Sequence, residues 1–93
     1  MTPAVQHDET ARKFFMVVDG HEAHLTYAVA NETTLDYQHT YVPPELRGRR
    51  LAQELVAAAF AYARDKGFKV IPSCSYVQRQ AERNDAYREL TVR

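Results

Sequence analysis

Val42-Pro43-Pro44-Glu45-Leu46-Arg47-Gly48-Arg49-Arg50-Leu51-Ala52 decides how the chain folds: a strand end, a double proline, a basic glycine turn and the start of an apolar-striped run. Neither proline can donate to a β-ladder, so a strand has to stop there. Over residues 49–66 the apolar positions Leu51, Ala52, Leu55, Val56, Ala59, Phe60 and Ala63 recur at helical spacing, with frequent alanine, which predicts a long helix. Gly67 stands at its C′ position, and Arg64 and Lys66 occupy the last turn, where the helix dipole favours cations. A strand that hands over to a helix through such a loop presents unpaired amides and the positive end of the dipole at one point. Arg47, Arg49 and Arg50 add fixed charge, so the stretch has the makings of a phosphate cradle.

Working back from the prolines, residues 33–42 alternate, with Leu35, Tyr37, His39 and Tyr41 on one face and Thr34, Asp36, Gln38 and Thr40 on the other. Residues 21–30 alternate in the same way, and Asn31-Glu32 reads as the turn between them. Residues 13–18, rich in aromatic and β-branched side chains, form a further strand closed by the hairpin dipeptide Asp19-Gly20. Three strands in an antiparallel meander are therefore expected. Beyond Gly67, residues 68–71 predict a short strand closed by Pro72, reached by a crossover and parallel to the third strand. Ser73-Cys74-Ser75 leaves that strand end, and residues 76–83 predict a short C-terminal helix capped by Ser75 and ended near Asn84-Asp85. The expected class is mixed α+β and α/β.

At 93 residues the chain suits one domain, which buries roughly 60–70% of its unfolded surface. Residues 13–93 are expected to form it and residues 1–12, which follow neither period, a flexible terminus. Twelve Lys and Arg against twelve Asp and Glu leave no net field to attract nucleic acid or an anionic membrane. Cys74 is the single cysteine, so there is no disulfide framework and no CxxC pair, as in a reducing compartment. The start is polar rather than signal-like, and the longest apolar run is far too short for a membrane span. A cytoplasmic protein, monomeric or weakly dimeric, is the expectation. His21 and His24 fall on opposite strand faces, which argues against a shared metal, and none is expected.

The basic glycine loop between strand and helix, the short strand at Lys69 to Ile71 and the segment Ile71-Pro72-Ser73-Cys74-Ser75-Tyr76 together resemble the small single-domain members of the GNAT acyltransferase superfamily, the YjdJ-type or minimal GNAT-like proteins. The likeness covers residues 13–87. It implies a small GNAT-like fold and a loop of pattern Q/R-x-x-G-x-G/A whose amides bind the pyrophosphate of acetyl-CoA. Arg47 matches the first position of that pattern and Ala52 the last, whereas Arg50 stands at the central glycine and Gly48 lies two residues earlier. A side chain at that point risks a clash. With ordinary helical geometry at Arg50, its N–H would still face the phosphate and its guanidinium would add a charged contact.

The resemblance further implies that the third strand and the strand after the helix splay apart, with pantetheine aligned at Tyr41 and Val42. The cofactor site is then Tyr41, Val42, Arg47, Gly48, Arg49, Arg50, Leu51, Ala52 and Ser73. Cys74 lies near the thioester in this view, although a free cysteine is also a common small core residue. His39 reads either as a hydrogen-bonded core histidine or as a general base. Tyr76 or Tyr87 would protonate the departing thiolate, or would simply pack. The implied activity is acetyl-CoA-dependent transfer to an unidentified amine; the alternative is a CoA-binding module without turnover. Contact with nucleic acid through Arg47, Arg49 and Arg50 has too few flanking cations to support it.

Overall fold

The computed structural model describes residues 4–92. Its elements run β1 (Gln6–Asp8), β2 (Lys13–Val18), β3 (His21–Asn31), β4 (Thr34–Tyr41), a 3-10 turn (Pro44–Leu46), α1 (Leu51–Lys66), β5 (Lys69–Ile71), α2 (Ser75–Glu82) and α3 (Asp85–Leu90). The strands form one sheet in the order β1-β2-β3-β4-β5, antiparallel except for the last pair, β4 with β5, which is parallel. The expected meander and crossover are present. Asp19 (φ 52) and Gly20 (φ 78) both take the positive φ that a two-residue hairpin turn of primed type demands.

Two elements go beyond the sequence expectation. The supposedly flexible terminus supplies β1, whose Gln6 and His7 pair with Phe15 and Phe14. His7 stacks on Phe14 with centroids 4.2 Å apart, and its Nε2 lies 2.6 Å from the Tyr27 hydroxyl, so aromatic contacts replace the missing apolar period. Asn84-Asp85 opens α3 instead of ending the chain's helical part: the Asn84 side chain accepts from the Tyr87 amide at 3.2 Å, a side-chain N-cap.

α1 buries Leu51, Leu55, Val56, Ala59, Phe60 and Ala63 against the sheet. Tyr37, fully buried on β4, donates its hydroxyl to the Ala59 carbonyl at 2.6 Å and meets Phe60 edge-on. Burial raises the Tyr37 pKa well above the ordinary phenol value, so the donor stays protonated. Phe60 in turn stacks on Tyr87 at 4.4 Å, which ties α3 to α1.

The alternation along β4 does not persist. Tyr27 pairs with Tyr37 but Thr26 pairs with His39, so β4 carries an extra residue there, a β-bulge. Before it, Leu35 and Tyr37 face the helices. After it, Thr40 does, opposite the buried Leu25, and His39 and Tyr41 turn outward. The grouping of His39 and Tyr41 with Leu35 and Tyr37 is thereby corrected, and His39 is an exposed residue rather than a core histidine.

Candidate functional site

The bulge divides β4. Residues 34–36 pair with β5, and the Cys74 amide closes one more step by donating to the Tyr37 carbonyl at 2.9 Å. From Gln38 onward no β5 residue lies opposite, and the two strands part. Thr40, turned inward by the bulge, meets Cys74 across this gap, with Sγ 3.6 Å from Oγ1.

Beyond the gap β4 stops at Pro43, and the 3-10 turn leads into the glycine loop. Gly48 (φ 84) and Arg50 (φ 61) both lie in the left-handed region. The helical geometry considered for Arg50 is therefore not what the chain adopts. A non-glycine residue pays roughly 1–2 kcal/mol for this conformation. Alternating left-handed residues turn successive amides to one side, as in an anion-binding nest. The first bond into α1 runs from the Glu54 amide to the Arg50 carbonyl, so among the described residues the amides of Gly48, Arg49, Arg50, Leu51, Ala52 and Gln53 have no backbone or side-chain acceptor.

These amides open on a cleft of about 270 Å³ lined by Val42, Leu46, Arg47, Gly48, Arg50, Leu51, Ala52, Gln53 and Tyr76. Seven residues picked from the sequence thus meet in one place: Val42, Arg47, Gly48, Arg50, Leu51, Ala52 and Tyr76. Leu46 and Gln53 were missed. Leu46 reads as the buried floor of the turn, and Gln53 is legible only once the start of the helix is fixed at Leu51. Arg47 braces the rim, its Nε donating to the Val42 carbonyl at 3.2 Å.

Other expected residues stand elsewhere. Arg49 points away and pairs with Asp19 of the hairpin turn at 3.0 Å, pinning the loop to the β2-β3 turn. Ser73 is exposed in a tight turn, its amide bonded to Ile71, and does not line the cleft. His39 and Tyr41 lie on the open face of the sheet, near His24. Tyr87 is occupied in stacking on Phe60. A larger hollow of about 430 Å³ lies beyond α2, between Ile71, Pro72, Glu82 and Val92, and shares no lining residue with the cleft.

Cys74, not Ser75, is the N-cap of α2. Burial pushes its thiol pKa up, but the Val77 amide, the Thr40 hydroxyl and the Tyr76 amide favour the thiolate more strongly and leave the pKa below the ordinary thiol value. The amides are aimed at the sulfur without forming a side-chain cap bond. Burial raises the Tyr76 pKa, keeping that hydroxyl protonated beside the cleft. Among the described residues no group of three or more His, Cys, Asp or Glu is placed to hold a metal ion, and no helix is long and apolar enough to cross a membrane.

Residues 13–90 match the family model for GCN5-related N-acetyl-transferase. The protein NATD1 of Danio rerio is 34% identical over 82 residues, covering 86% of this chain and 74% of that protein. NATD1 of Homo sapiens is 34% identical over 82 residues, covering 86% and 73%. A GCN5-like protein of Staphylococcus aureus, solved by NMR, superposes with a TM-score of 0.74 at 28% identity, covering 95% of this chain and 86% of that one.

Proposed function

The chain belongs to the GCN5-related N-acetyltransferase family, and from that premise we propose that it transfers an acetyl group from acetyl-CoA to an amine, with the cofactor pyrophosphate on the amides of Gly48 to Gln53. The observation that carries this is the unpaired run of amides at the head of α1, beside the gap between β4 and β5. The Arg50 guanidinium offers that pyrophosphate a charge-assisted contact. The free edge of β4 near Tyr41 and Val42 offers main-chain groups to the pantetheine amides, as a neighbouring strand would.

Bound acetyl-CoA would supply a thioester already activated for acyl transfer. The protein's share is then mainly positioning and amide polarisation in the gap. Tyr76, kept protonated by burial and lining the cleft, would return a proton to the leaving sulfur. Cys74 and Thr40 wall the inner side of the gap.

Calorimetric titration with acetyl-CoA, read beside amide NMR spectra, tests the binding part. Micromolar or tighter binding with the largest shifts at Gly48 to Gln53 is expected; shifts confined to the hollow beyond α2 would overturn it. A second reading, a CoA-binding module without turnover, draws on the absence of any helix over the face of the sheet opposite α1 among the described residues. Thiol release in the presence of primary amines separates the two.

A further inference from the structure

α1 packs against β2, β3, β4 and β5, and α2 and α3 both pack against α1, so the helices share one face of the sheet. The reverse face is open and carries exposed Val17 and Tyr41. At the gap the helix side is filled, by Thr40 against Cys74 and, deeper, by Tyr37 bonded to Ala59. Among the described residues no helix covers the gap on the reverse face, which leaves that side open to an amine.

The groups that border the gap on that face can accept hydrogen bonds. Asp36, between inward Leu35 and Tyr37, keeps a buried Oδ1 without a partner among the described residues. His39 and Tyr41 follow after the bulge, with the His24 ring centroid 6.4 Å from His39 and 5.6 Å from Tyr41. Lys13, a cation on this side, is already held by both oxygens of Glu22 at 3.0 and 2.9 Å.

The two histidines differ. His39 is exposed, and its ring makes no hydrogen bond to a described residue. His24 has only 27% of its side chain exposed, and its Nδ1 lies 3.1 Å from Glu22 Oε2. An ionised carboxylate only accepts, so Nδ1 carries the proton and Nε2 presents a lone pair. Glu22 stays ionised because the Lys13 hydrogen bond, aided by His24, outweighs its burial and holds its pKa below the ordinary value. Nε2 itself has no partner among the described residues. An imidazole fixed by a carboxylate on one nitrogen and free on the other is the arrangement of a general base.

We propose that the reverse face receives the acceptor, an aliphatic primary amine that arrives protonated, and that His24, oriented by Glu22 and Lys13, takes the proton from its ammonium at Nε2. The proposal rests on the acetyl-transfer reading above. The freed amine nitrogen bonds to the thioester carbonyl carbon and the C–S bond breaks. The sulfur leaves with the bonding pair and takes up the Tyr76 hydroxyl proton, and the second amine proton restores Tyr76. Nothing is oxidised or reduced. His24 touches the acceptor, whereas Glu22 is a positioning residue.

Two measurements test this. In the unliganded protein, nitrogen-15 NMR of the imidazoles should find neutral His24 protonated at Nδ1, and Glu22→Gln should shift it toward the Nε2–H form. In thiol-release assays with spermidine and a lysine-containing tripeptide, His24→Asn should lower the rate at neutral pH about 100-fold, within the usual range for a general base. The acetyl-CoA affinity should stay within about twofold, since no cradle amide is touched. Glu22, Lys13, His39 and Tyr41 are the ionisable groups facing His24 and stay in place in that variant. Near pH 10, where an alkylamine loses its own proton, the two rates should converge. His21→Asn, outside this cluster, should keep the wild-type rate. A His24→Asn rate equal to wild type at neutral pH, or an Nε2–H tautomer in the wild type, overturns the proposal and leaves acetyl transfer standing. Acetyl-CoA binding by the wild type without thiol release from either amine overturns both.

Discussion

The two halves of β4 differ less in composition than in what lies beside them. Its first half, to Tyr37, has β3 on one flank and β5 with the Cys74 amide on the other; its second half, Gln38 to Tyr41, has β3 alone. The first half anchors the core through Tyr37, and the second borders the cleft and the reverse-face histidines. One inserted residue separates stability from chemistry within a single strand.

Substitutions on the closed side should strike stability, and those around the open side binding. Phe60→Ala empties the site between Tyr37 and Tyr87 and should cost about 3–5 kcal/mol in denaturant unfolding. A matching loss of acetyl-CoA affinity in the still-folded protein would break the division. Arg50→Gly should weaken acetyl-CoA binding about tenfold or more, the loss of one charge-assisted contact worth roughly 1.5–3 kcal/mol. The same change should raise stability by roughly 0.5–1 kcal/mol, the left-handed strain less glycine's added entropy. Unchanged affinity would make the guanidinium a bystander.

Tyr37→Phe sharpens the closed half further: it removes the hydroxyl bond to Ala59 and should cost about 1 kcal/mol at neutral pH. Because burial raises the Tyr37 pKa in the folded state, its contribution is complete below the unfolded phenol value near 10 and is lost as pH climbs beyond it. The variant should therefore show a shallower alkaline decline in thermal melts. Arg49→Ala should matter least: its partner Asp19 is exposed, and such surface pairs contribute about 1 kcal/mol or less. A large effect on binding would place Arg49 back in the cradle.

Regular periodicity made much of this legible. α1, the Asp19-Gly20 hairpin and the parallel β5 follow from spacing and turn chemistry, and the loop of unpaired amides follows from prolines and glycine ahead of an apolar stripe. What escaped was departure from periodicity. Nothing in Tyr37-Gln38-His39-Thr40 announces an extra residue, because a bulge is settled by pairing across to β3, so His39 and Tyr41 were assigned the wrong face. β1 is held by His7 on Phe14 and Tyr27, a tertiary aromatic contact that the polar residues Gln6 to Asp8 do not advertise. The left-handed Arg50 defies local preference, and such residues concentrate at functional sites. The α3 signal was present: Asn84 before Asp85 is a cap as readily as a terminator.

The sheet guards its outer margins. On one side β1 is short and polar, and on the other Val92 donates to the Val70 carbonyl, laying Thr91 and Val92 along β5. The margin it leaves bare is internal, along Gln38 to Tyr41. An unclaimed strand margin templates any extended chain that meets it, so this groove invites aggregation, and on the acetyl-transfer reading the protein should keep best in storage with acetyl-CoA added.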